Sequence, residues 1–347
     1  MINNKKLSEM KKIVITVSTI ILLFLTGCAS QKEESEQESE VKKLSEYENT
    51  DFLPTLEHQI SAQKNSVYCV TLLYAWEQIR KQINQPLIIS EKYNDLLLLN
   101  NSKSFVNVLK SNEYSASGTI DGDVITAKAE FKKSLPFRIN LNSYDNKLTF
   151  KGKPVASFGV SGHNDCEQKN IVQIFYYKND DNFIIALLPK DKKHEIILFK
   201  TDKVFNSMAE MNKEIRRLTE IGIKEWENEK LQWKYWFSDE SDVLIIPKIN
   251  FNIATNYSSL EGKEFRTAKQ DYQIETAWQR TAFRLDERGA EVVSEVKVYA
   301  VGIREEEQPR PKKMIFDKDF LILLKRTDSQ NPYFGLWVVN TELMIEE

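Results

Sequence analysis

The spacing of hydrophobic positions changes along this chain. Between Leu56 and Ile83 apolar side chains recur every three or four residues, which predicts a helix that Pro86 ends. The same spacing predicts a helix over Asp202–Glu229, and residues 91–114 show a weaker helical pattern. The stripe of the first helix consists of Cys69, Leu72, Leu73, Trp76, Ile79 and Ile83.

From Gly118 onward, strand patterns dominate. Hairpins are predicted over Leu148–Val160 and over Ile171–Leu188, and the second has apolar runs that we expect to be buried on both faces. Helices early and strands late favour an α+β fold with large, mostly antiparallel sheets. Further strands are predicted at Val124–Phe131, Gln232–Phe237, Val243–Ile253, Phe320–Lys325 and Phe334–Val339.

The N-terminus has the anatomy of an export signal. Basic residues precede the apolar run Ile13–Leu25, which is shorter than the ~20 residues that a membrane-spanning helix needs. The run ends in Leu25-Thr26-Gly27-Cys28, which resembles a bacterial lipobox. That resemblance implies cleavage before Cys28 and lipid attachment to its sulfur. The alternative is an ordinary transmembrane anchor with an incidental cysteine.

The segment after Cys28 is predicted to be a flexible tether. It is rich in Glu, Ser, Gln and Lys and can bury too little apolar surface to fold alone. We therefore divide the chain into a signal peptide (1–27), a lipidated cysteine with its acidic tether (28–50), and one folded domain (51–347). Gln31-Lys32-Glu33-Glu34 resembles the surface-export signal of Bacteroidetes lipoproteins, so we expect a lipid-anchored protein at the outer membrane or cell surface.

Composition narrows the possible classes of function and partner. The net charge of −3 and pI near 5.9 give no electrostatic reason to expect nucleic acid as a partner. Cys69 is expected to be a buried thiol, although an exported compartment also permits a disulfide with Cys166. The three histidines are scattered, so the sequence predicts neither a nucleophilic triad nor a metal or cofactor site, and the protein is not expected to be an enzyme.

The last quarter of the chain is the most specific part. A strand ends in Glu287-Arg288-Gly289-Ala290-Glu291, and an alternating stretch and a charged loop follow. Phe316–Leu324 and a hairpin ending in Val338-Val339-Asn340 complete this part. The order resembles the hinge, reactive loop and terminal hairpin of the serpins. Other segments that resemble the family are Asn65–Trp76, Ile171–Asp191 with Leu187-Leu188-Pro189, Val243–Tyr257 with Ile246-Pro247-Lys248-Ile249, and Trp278–Glu291.

The chain departs from the serpin pattern in several places. The region between the first helix and Phe131 is much shorter than in typical serpins, and Leu260–Trp278 is abbreviated. The serines and proline usual at the start of the central helix are replaced by Cys69, Leu72 and Val70. The resemblance is therefore to a reduced, divergent bacterial serpin.

The resemblance implies a mechanical function. A protease cuts the reactive loop, and the loop then enters a β-sheet as a new strand and carries the acylated protease with it. By family spacing the hinge is Gly289, Ala290, Glu291 and Val292, and the bait bond lies at Ile303 beside Arg304. Arg304 suits a trypsin-like or arginine-specific protease, and Ile303 an elastase-like one.

The hinge sequence fits a strand with one buried face. The positions that share a face with Ala290 are small or apolar, but Val292, Val293 and Glu295 are bulkier than the alanine-like residues of efficient inhibitors. A strand permanently fixed in an ordinary sheet is the simplest alternative. The apolar face consists of Ala290, Val292, Ser294, Val296, Val298 and Ala300.

Two functions remain open on these grounds. The first is inhibition of a serine or cysteine protease by loop insertion, on a monomeric protein held to a membrane by its lipid anchor. The alternative is a non-inhibitory serpin fold used for binding or surface structure.

Overall fold

The computed structural model describes residues 40–131, 134–161, 168–238, 241–290 and 311–346. Within these ranges no helix is long and apolar enough to cross a membrane. The predicted signal peptide, Cys28 and Cys166 lie outside the described residues. The helices are α1 (Thr71–Ile83), α2 (Asn94–Asn101) and α3 (Met208–Trp226).

Most of the described chain forms strands. The first half contributes β1 (Lys42–Lys43), β2 (Thr50–Leu53), β3 (Asn65–Cys69), β4 (Ile88–Ile89), β5 (Ser115–Asp121), β6 (Val124–Phe131), β7 (Leu135–Pro136), β8 (Asn142–Phe150) and β9 (Lys153–Ser161). The second half contributes β10 (Val172–Asn179), β11 (Asn182–Leu187), β12 (His194–Lys200), β13 (Val243–Pro247), β14 (Ile249–Asn256), β15 (Glu264–Arg266), β16 (Asp271–Leu285), β17 (Gly289–Ala290), β18 (Lys313–Ile315), β19 (Phe320–Arg326) and β20 (Phe334–Val338).

These strands form three larger sheets and one short pair. The central sheet runs β5-β6-β16-β14-β1, with β15 and β4 added beside β16. The back sheet has the order β10-β11-β12-β19-β20-β3-β2, and the side sheet β18-β13-β9-β8. Within the described residues β17 forms a two-residue pair with β7, and its Gly289 also bridges to Asp286. Most pairings are antiparallel, so the prediction of an α+β fold with large, mostly antiparallel sheets is confirmed.

The core lies between the central sheet, the back sheet and α1. The rings of Phe283 in β16 and Phe334 in β20 are 4.5 Å apart, which joins the two sheets directly. Trp76 of α1 packs against Phe265 of β15 at 5.7 Å. The inner strands of the back sheet are buried on both faces, as their continuous apolar runs require.

Two predicted elements are wrong in part. The first helix begins at Thr71 rather than Leu56, because Asn65–Cys69 forms β3, a strand buried between β20 and β2. Every residue of this strand is buried, so its sequence lacks the alternation of apolar and polar positions that predicts a strand. Gln232–Phe237 is not a strand, because Glu229–Tyr235 forms a 3-10 helix whose Tyr235 hydroxyl donates to Glu225 of α3 at 2.7 Å.

The hairpin predictions are confirmed with changes in detail. β8 and β9 turn at Lys151-Gly152, both with positive φ, as predicted. β10 and β11 pair as predicted, but β10 is buried on alternate positions because it is the edge strand of the back sheet. The predicted strand Val243–Ile253 divides at Lys248 into β13 and β14, which belong to different sheets.

The structured chain begins before the predicted boundary at residue 51. β1 pairs with Ile253 and Ala254 of β14. The Glu342 carboxylate accepts from the N–H groups of Glu48 and Asn49 and from the Thr50 hydroxyl. Residues 40–50 therefore contact the fold, and the part of the predicted tether up to residue 39 lies outside the described residues.

Two glutamines of α1 occupy the edge of the central sheet. The Gln78 amide donates to Ala116 O at 3.0 Å and accepts from Gly118 N at 3.1 Å, and the Gln82 amide donates to Gly118 O. These bonds satisfy backbone groups of the edge strand β5 that face away from β6. An edge with free backbone groups invites pairing with other chains, so the glutamines take the place of a further strand.

Replacing Gln78 by alanine should therefore expose this edge. We expect Gln78→Ala to lower the free energy of unfolding by about 1–3 kcal/mol, since it leaves two part-buried backbone groups without their amide partner. Lys81→Ala, a change at an exposed position of the same helix, is the control. Denaturant unfolding and light scattering measure stability and self-association, and equal behaviour of the two variants would contradict this role.

Candidate functional site

The candidate site begins at the pairing of β6 with β16, which we call the seam. The two strands are parallel, with Val124 opposite Gln273 at one end and Phe131 opposite Thr281 at the other. Beyond Thr281, β16 continues to Leu285, and among the described strands these last residues pair only with β14 on the other side. A strand that runs antiparallel to β6 and β16 could pair with both if the seam opened.

On the face of β16 that points into the core, the side chain of Gln279 forms a hydrogen bond with α1. Gln279 is fully buried, and its amide donates to the Thr71 hydroxyl at 2.7 Å and to Cys69 O at 3.3 Å. The Tyr257 hydroxyl donates to its carbonyl oxygen. Opposite it in β6 stands Ala129, which offers no polar contact. Gln279 therefore holds the middle of β16 to the first turn of α1 and leaves β6 without such a bond.

The chain reverses direction immediately after β16. The N–H of Asp286 donates to Gly289 O at 3.2 Å, and the N–H of Gly289 donates to Asp286 O at 3.1 Å, which closes a two-residue hairpin turn. The Asp286 carboxylate accepts from the side chains of Arg284 and Arg288 and from the Arg288 N–H. Burial raises the pKa of Asp286, but the Arg288 hydrogen bonds and the Arg284 charge outweigh it and hold the pKa below its ordinary value.

The predicted hinge residues Gly289 and Ala290 form β17. They pair antiparallel with Pro136 and Leu135 of β7, which follows β6 in the chain. Ala290 is buried, as expected for the first residue of the apolar face. Gly289 has φ +122°, and a Cβ there would lie 2.6 Å from Leu135 O, so only glycine allows this approach.

Further bonds fix the turn against the segment after β7. Phe137 N–H donates to Arg288 O and Leu141 N–H to Glu287 O, both at 2.8 Å. The Glu287 side chain forms an ion pair of 2.7 Å with Lys248, at the bend between β13 and β14. Gly289 and Ala290, the two described residues of the predicted hinge, therefore lie in a defined position near one end of the seam.

The other predicted site residues cannot be placed. Glu291, Val292, Ile303 and Arg304 lie outside the described residues, as does Cys28. Gln279 and Asp286 were not predicted as site residues. The hydrogen bonds of Gln279 go to Thr71 and Cys69, which are distant in the chain, and those of Asp286 depend on the turn. An aspartate flanked by two arginines just before a glycine was a visible signal for the turn.

Thr55, His58 and Asp95 are arranged like the nucleophile, base and acid of a catalytic triad. Thr55 Oγ1 lies 2.9 Å from His58 Nδ1, and His58 Nε2 lies 3.6 Å from Asp95 Oδ1. Thr55 is fully buried, so a substrate cannot reach its hydroxyl. Within the described ranges, Cys69 is a buried free thiol and no group of three or more potential metal ligands occurs.

Comparison with known proteins finds likeness in structure. No protein-family model matches the chain, and no curated protein matches it. Among solved structures it is similar to a serpin from the trematode Schistosoma haematobium (9% identity, TM-score 0.37, 62% of this chain and 56% of that one). It is also similar to a highly specific serpin from the insect Tenebrio molitor (12% identity, TM-score 0.35, 72% and 66%) and to a serine protease inhibitor from Manduca sexta (13% identity, TM-score 0.36, 62% and 56%). The chain thus spans less than two thirds of the length of each of these structures.

The close approach of Gly289 to the backbone of β7 can be tested by adding a side chain at this position. In Gly289→Ala we expect β17 to leave β7, with a loss of roughly 1–3 kcal/mol from strain and contact. The amides of Phe137 and Leu141, which donate to the turn, should exchange faster with solvent.

Gly122→Ala is the matched control for this test. Gly122 also has a positive φ of +63°, but a Cβ there meets no atom within 4 Å. It should introduce a milder backbone strain without releasing β17 from β7. If both variants change the two amides equally, the close approach of Gly289 does not hold β17.

Proposed function

We propose that this chain is a serpin-type inhibitor of a serine or cysteine protease, acting by cleavage and insertion of the loop that follows Ala290. The observation that carries the proposal is an agreement of registers around the hinge. The pairing of β17 with β7 and the hairpin pairing of Asp286 with Gly289 set two independent registers. Continued without a bulge, both would put Ser294 between Phe131 and Thr281, which are opposite each other in the seam.

The same register also gives the partners of the loop residues that follow Ser294. Val296 would lie between Ala129 and Gln279, and Val298 between Ala127 and Ala277. The receiving side chains of the seam are therefore mostly small, so that β-branched residues can enter between them.

In this register the hydroxyl of Thr281 would meet a polar side chain of the loop. It is fully buried, and its hydroxyl has no hydrogen-bond partner among the described residues. A buried hydroxyl without a partner is costly. Ser294 is the polar member of the otherwise small or apolar face, and the inserted strand would place it beside Thr281. Insertion would thus supply a partner that the present arrangement lacks.

Insertion would increase the number of backbone hydrogen bonds. Opening the seam breaks one ladder along the eight residues of β6, and a new central strand would make two. The net gain is about one ladder of hydrogen bonds, which has to exceed the entropy cost of ordering the loop. The uncut protein would then be a kinetically trapped state, which cleavage releases.

The bait and the location follow the sequence resemblances. Cleavage would occur at Ile303 or Arg304, and lipidation at Cys28 would hold the protein at the outer membrane or cell surface. Cys28→Ala should accumulate as an uncleaved precursor on immunoblots, and normal processing of that variant would exclude the lipid anchor.

A pair of loop variants tests the inhibitory mechanism. The wild-type chain should form a complex stable in SDS with a protease that cuts at Arg304. Ser294→Arg should abolish the complex and leave a cleaved substrate, because the inserted strand would bury an unpaired charge in the seam.

Glu295→Arg serves as the control in the same loop. Position 295 alternates to the outer face of the inserted strand, where a charge remains in water. This variant should keep forming the complex. Continued trapping by Ser294→Arg would show that the protease is not held by insertion in the assigned register.

The alternative function is a non-inhibitory serpin fold used for binding or surface structure. The pairing of the seam from Gln273 to Thr281, interrupted by one bulge between Ile274 and Thr276, favours it, since entry must first break that ladder. Val292, Val293 and Glu295 would slow entry further. Under this alternative the loop is cut without trapping any protease, and the same assay separates the two functions.

A further inference from the structure

The turn between β11 and β12 contacts the chain just after it leaves β6. Lys190 N–H donates to Pro136 O at 2.7 Å, and Phe137 forms an antiparallel bridge with Pro189. Pro136 belongs to β7, which follows β6 at the end of the seam where Phe131 lies. The back sheet therefore holds the chain at that end of the seam.

Glu113 makes the matching contact on the side of β5. It lies two residues before Ser115, the first residue of β5, which pairs with Glu130 near the same end of the seam. Its Oε1 lies 3.3 Å from His194 Nε2, and its Oε2 accepts from Arg326 Nη1 at 3.2 Å. His194 begins β12, Arg326 ends β19, and the two residues are opposite each other in the back sheet. Glu113 therefore joins the start of β5 to two neighbouring strands of the back sheet.

These contacts are shielded from water. The side chain of His194 is completely buried, and those of Arg326 and Glu113 are 6% and 12% exposed. Glu113 also accepts from the backbone N–H of Lys110 at 2.8 Å, which fixes the orientation of its carboxylate. Removing one partner from such a buried group is costly, because the charge that remains loses its compensation.

Two further carboxylates lie beside these residues without reaching β5. Asp191 Oδ2 lies 3.6 Å from His194 Nε2, and the two Asp328 oxygens each accept from Arg326 at 2.9 Å. Asp191 belongs to the turn between β11 and β12, and Asp328 follows β19 in the chain. Of these three carboxylates, Glu113 is the one that ties β5 to the back sheet.

The ring of Tyr333 extends these contacts to the seam. It packs edge-on against the His194 ring at 5.6 Å, and its centre lies 5.7 Å from that of the Phe131 ring. Phe131 is the last residue of β6 and lies opposite Thr281 of β16. A movement of β6 away from β16 at this end therefore disturbs the packing around His194.

We propose that Glu113, His194 and Arg326 form a latch that keeps the β5–β6 pair closed on β16. Breaking the Glu113 contact frees the start of β5, so the pair can move away from β16 as a unit. A strand that enters from the hinge end has to part Phe131 from Thr281, at the end of the seam that the latch holds. The latch acts on the seam whether or not a loop enters, and only its effect on inhibition rests on the proposed function.

Glu113→Gln tests the latch at nearly unchanged size. The amide keeps an oxygen for the Lys110 N–H but removes the negative charge of the latch. Asp328→Asn is the matched control, because it removes a charge from Arg326 without touching the segment before β5. Hydrogen exchange should be measured in uncut protein at the amides of residues 278–281, where β16 pairs with both β6 and β14.

The direction in which each amide points gives an internal control. Successive N–H groups of a strand point to opposite neighbours, so the amides of this segment divide between β6 and β14. In Glu113→Gln we expect the amides that face β6 to exchange at least about tenfold faster and those that face β14 to keep the wild-type rate. Asp328→Asn should keep both rates. A role in overall stability alone would accelerate both sets together.

Three results would overturn the latch. They are unchanged exchange at the amides that face β6, equal acceleration of the two sets, and an equal effect of Asp328→Asn. If Glu113→Gln does not fold, Glu113→Asp replaces it, since it keeps the charge but withdraws it by one methylene group from His194 and Arg326. The same division between the two sets is then expected with a smaller difference, and an even response of the two sets would again overturn the latch.

The proposed function and the latch fail in distinguishable ways. If the loop inserts, cleaved Glu113→Gln should reach its higher melting temperature faster than cleaved wild type. If cleaved wild type gains no stability, insertion itself fails, whereas the exchange result still decides whether the latch holds the seam. Faster exchange without faster gain, in a protein whose cleaved wild type does gain stability, would overturn the effect of the latch on inhibition.

Discussion

The parallel pairing of β6 with β16 is the constraint on which the rest of this structure depends. Two parallel neighbours that separate can each pair with one strand that is antiparallel to both. The hairpin turn at Asp286–Gly289 points the chain in that direction, and Gly289 allows it to approach β7 closely. Without the parallel seam the reversal would be an ordinary turn. With it, Gly289 and Ala290 already run antiparallel to β7 in the direction that the proposed strand would take.

Polar contacts divide the molecule into parts that are fixed and parts that can separate. Gln279 binds β16 to the start of α1, and Gln78 binds β5 to the middle of the same helix. Between these attachments the seam is joined by its backbone ladder and by small side chains such as Ala127 and Ala277. The seam therefore lies between two strand pairs that side-chain hydrogen bonds attach separately to α1, and it is where the proposed register would place the inserted strand.

Much of this fold could be predicted from the sequence because local patterns and tertiary burial agree there. β6, the β8–β9 hairpin, and β19 with β20 follow their alternation or apolar runs. β3 was missed because burial on both faces removes the period of two, and the segment then resembles the adjoining helix. The 3-10 helix Glu229–Tyr235 was missed because contacts with α3 override the strand propensity of its aromatic residues. Gly289 was singled out from the sequence, and it lies in a tight turn. The burial of the Thr281 hydroxyl without a hydrogen-bond partner among the described residues depends on neighbours distant in the chain.

The melting temperature of the folded domain before and after a single cut near Arg304 tests the central claim most directly. If the freed loop enters the seam, the gain of about one ladder of hydrogen bonds should raise the melting temperature by roughly 10–20 °C. An unchanged or lower melting temperature after complete cleavage would contradict insertion between β6 and β16.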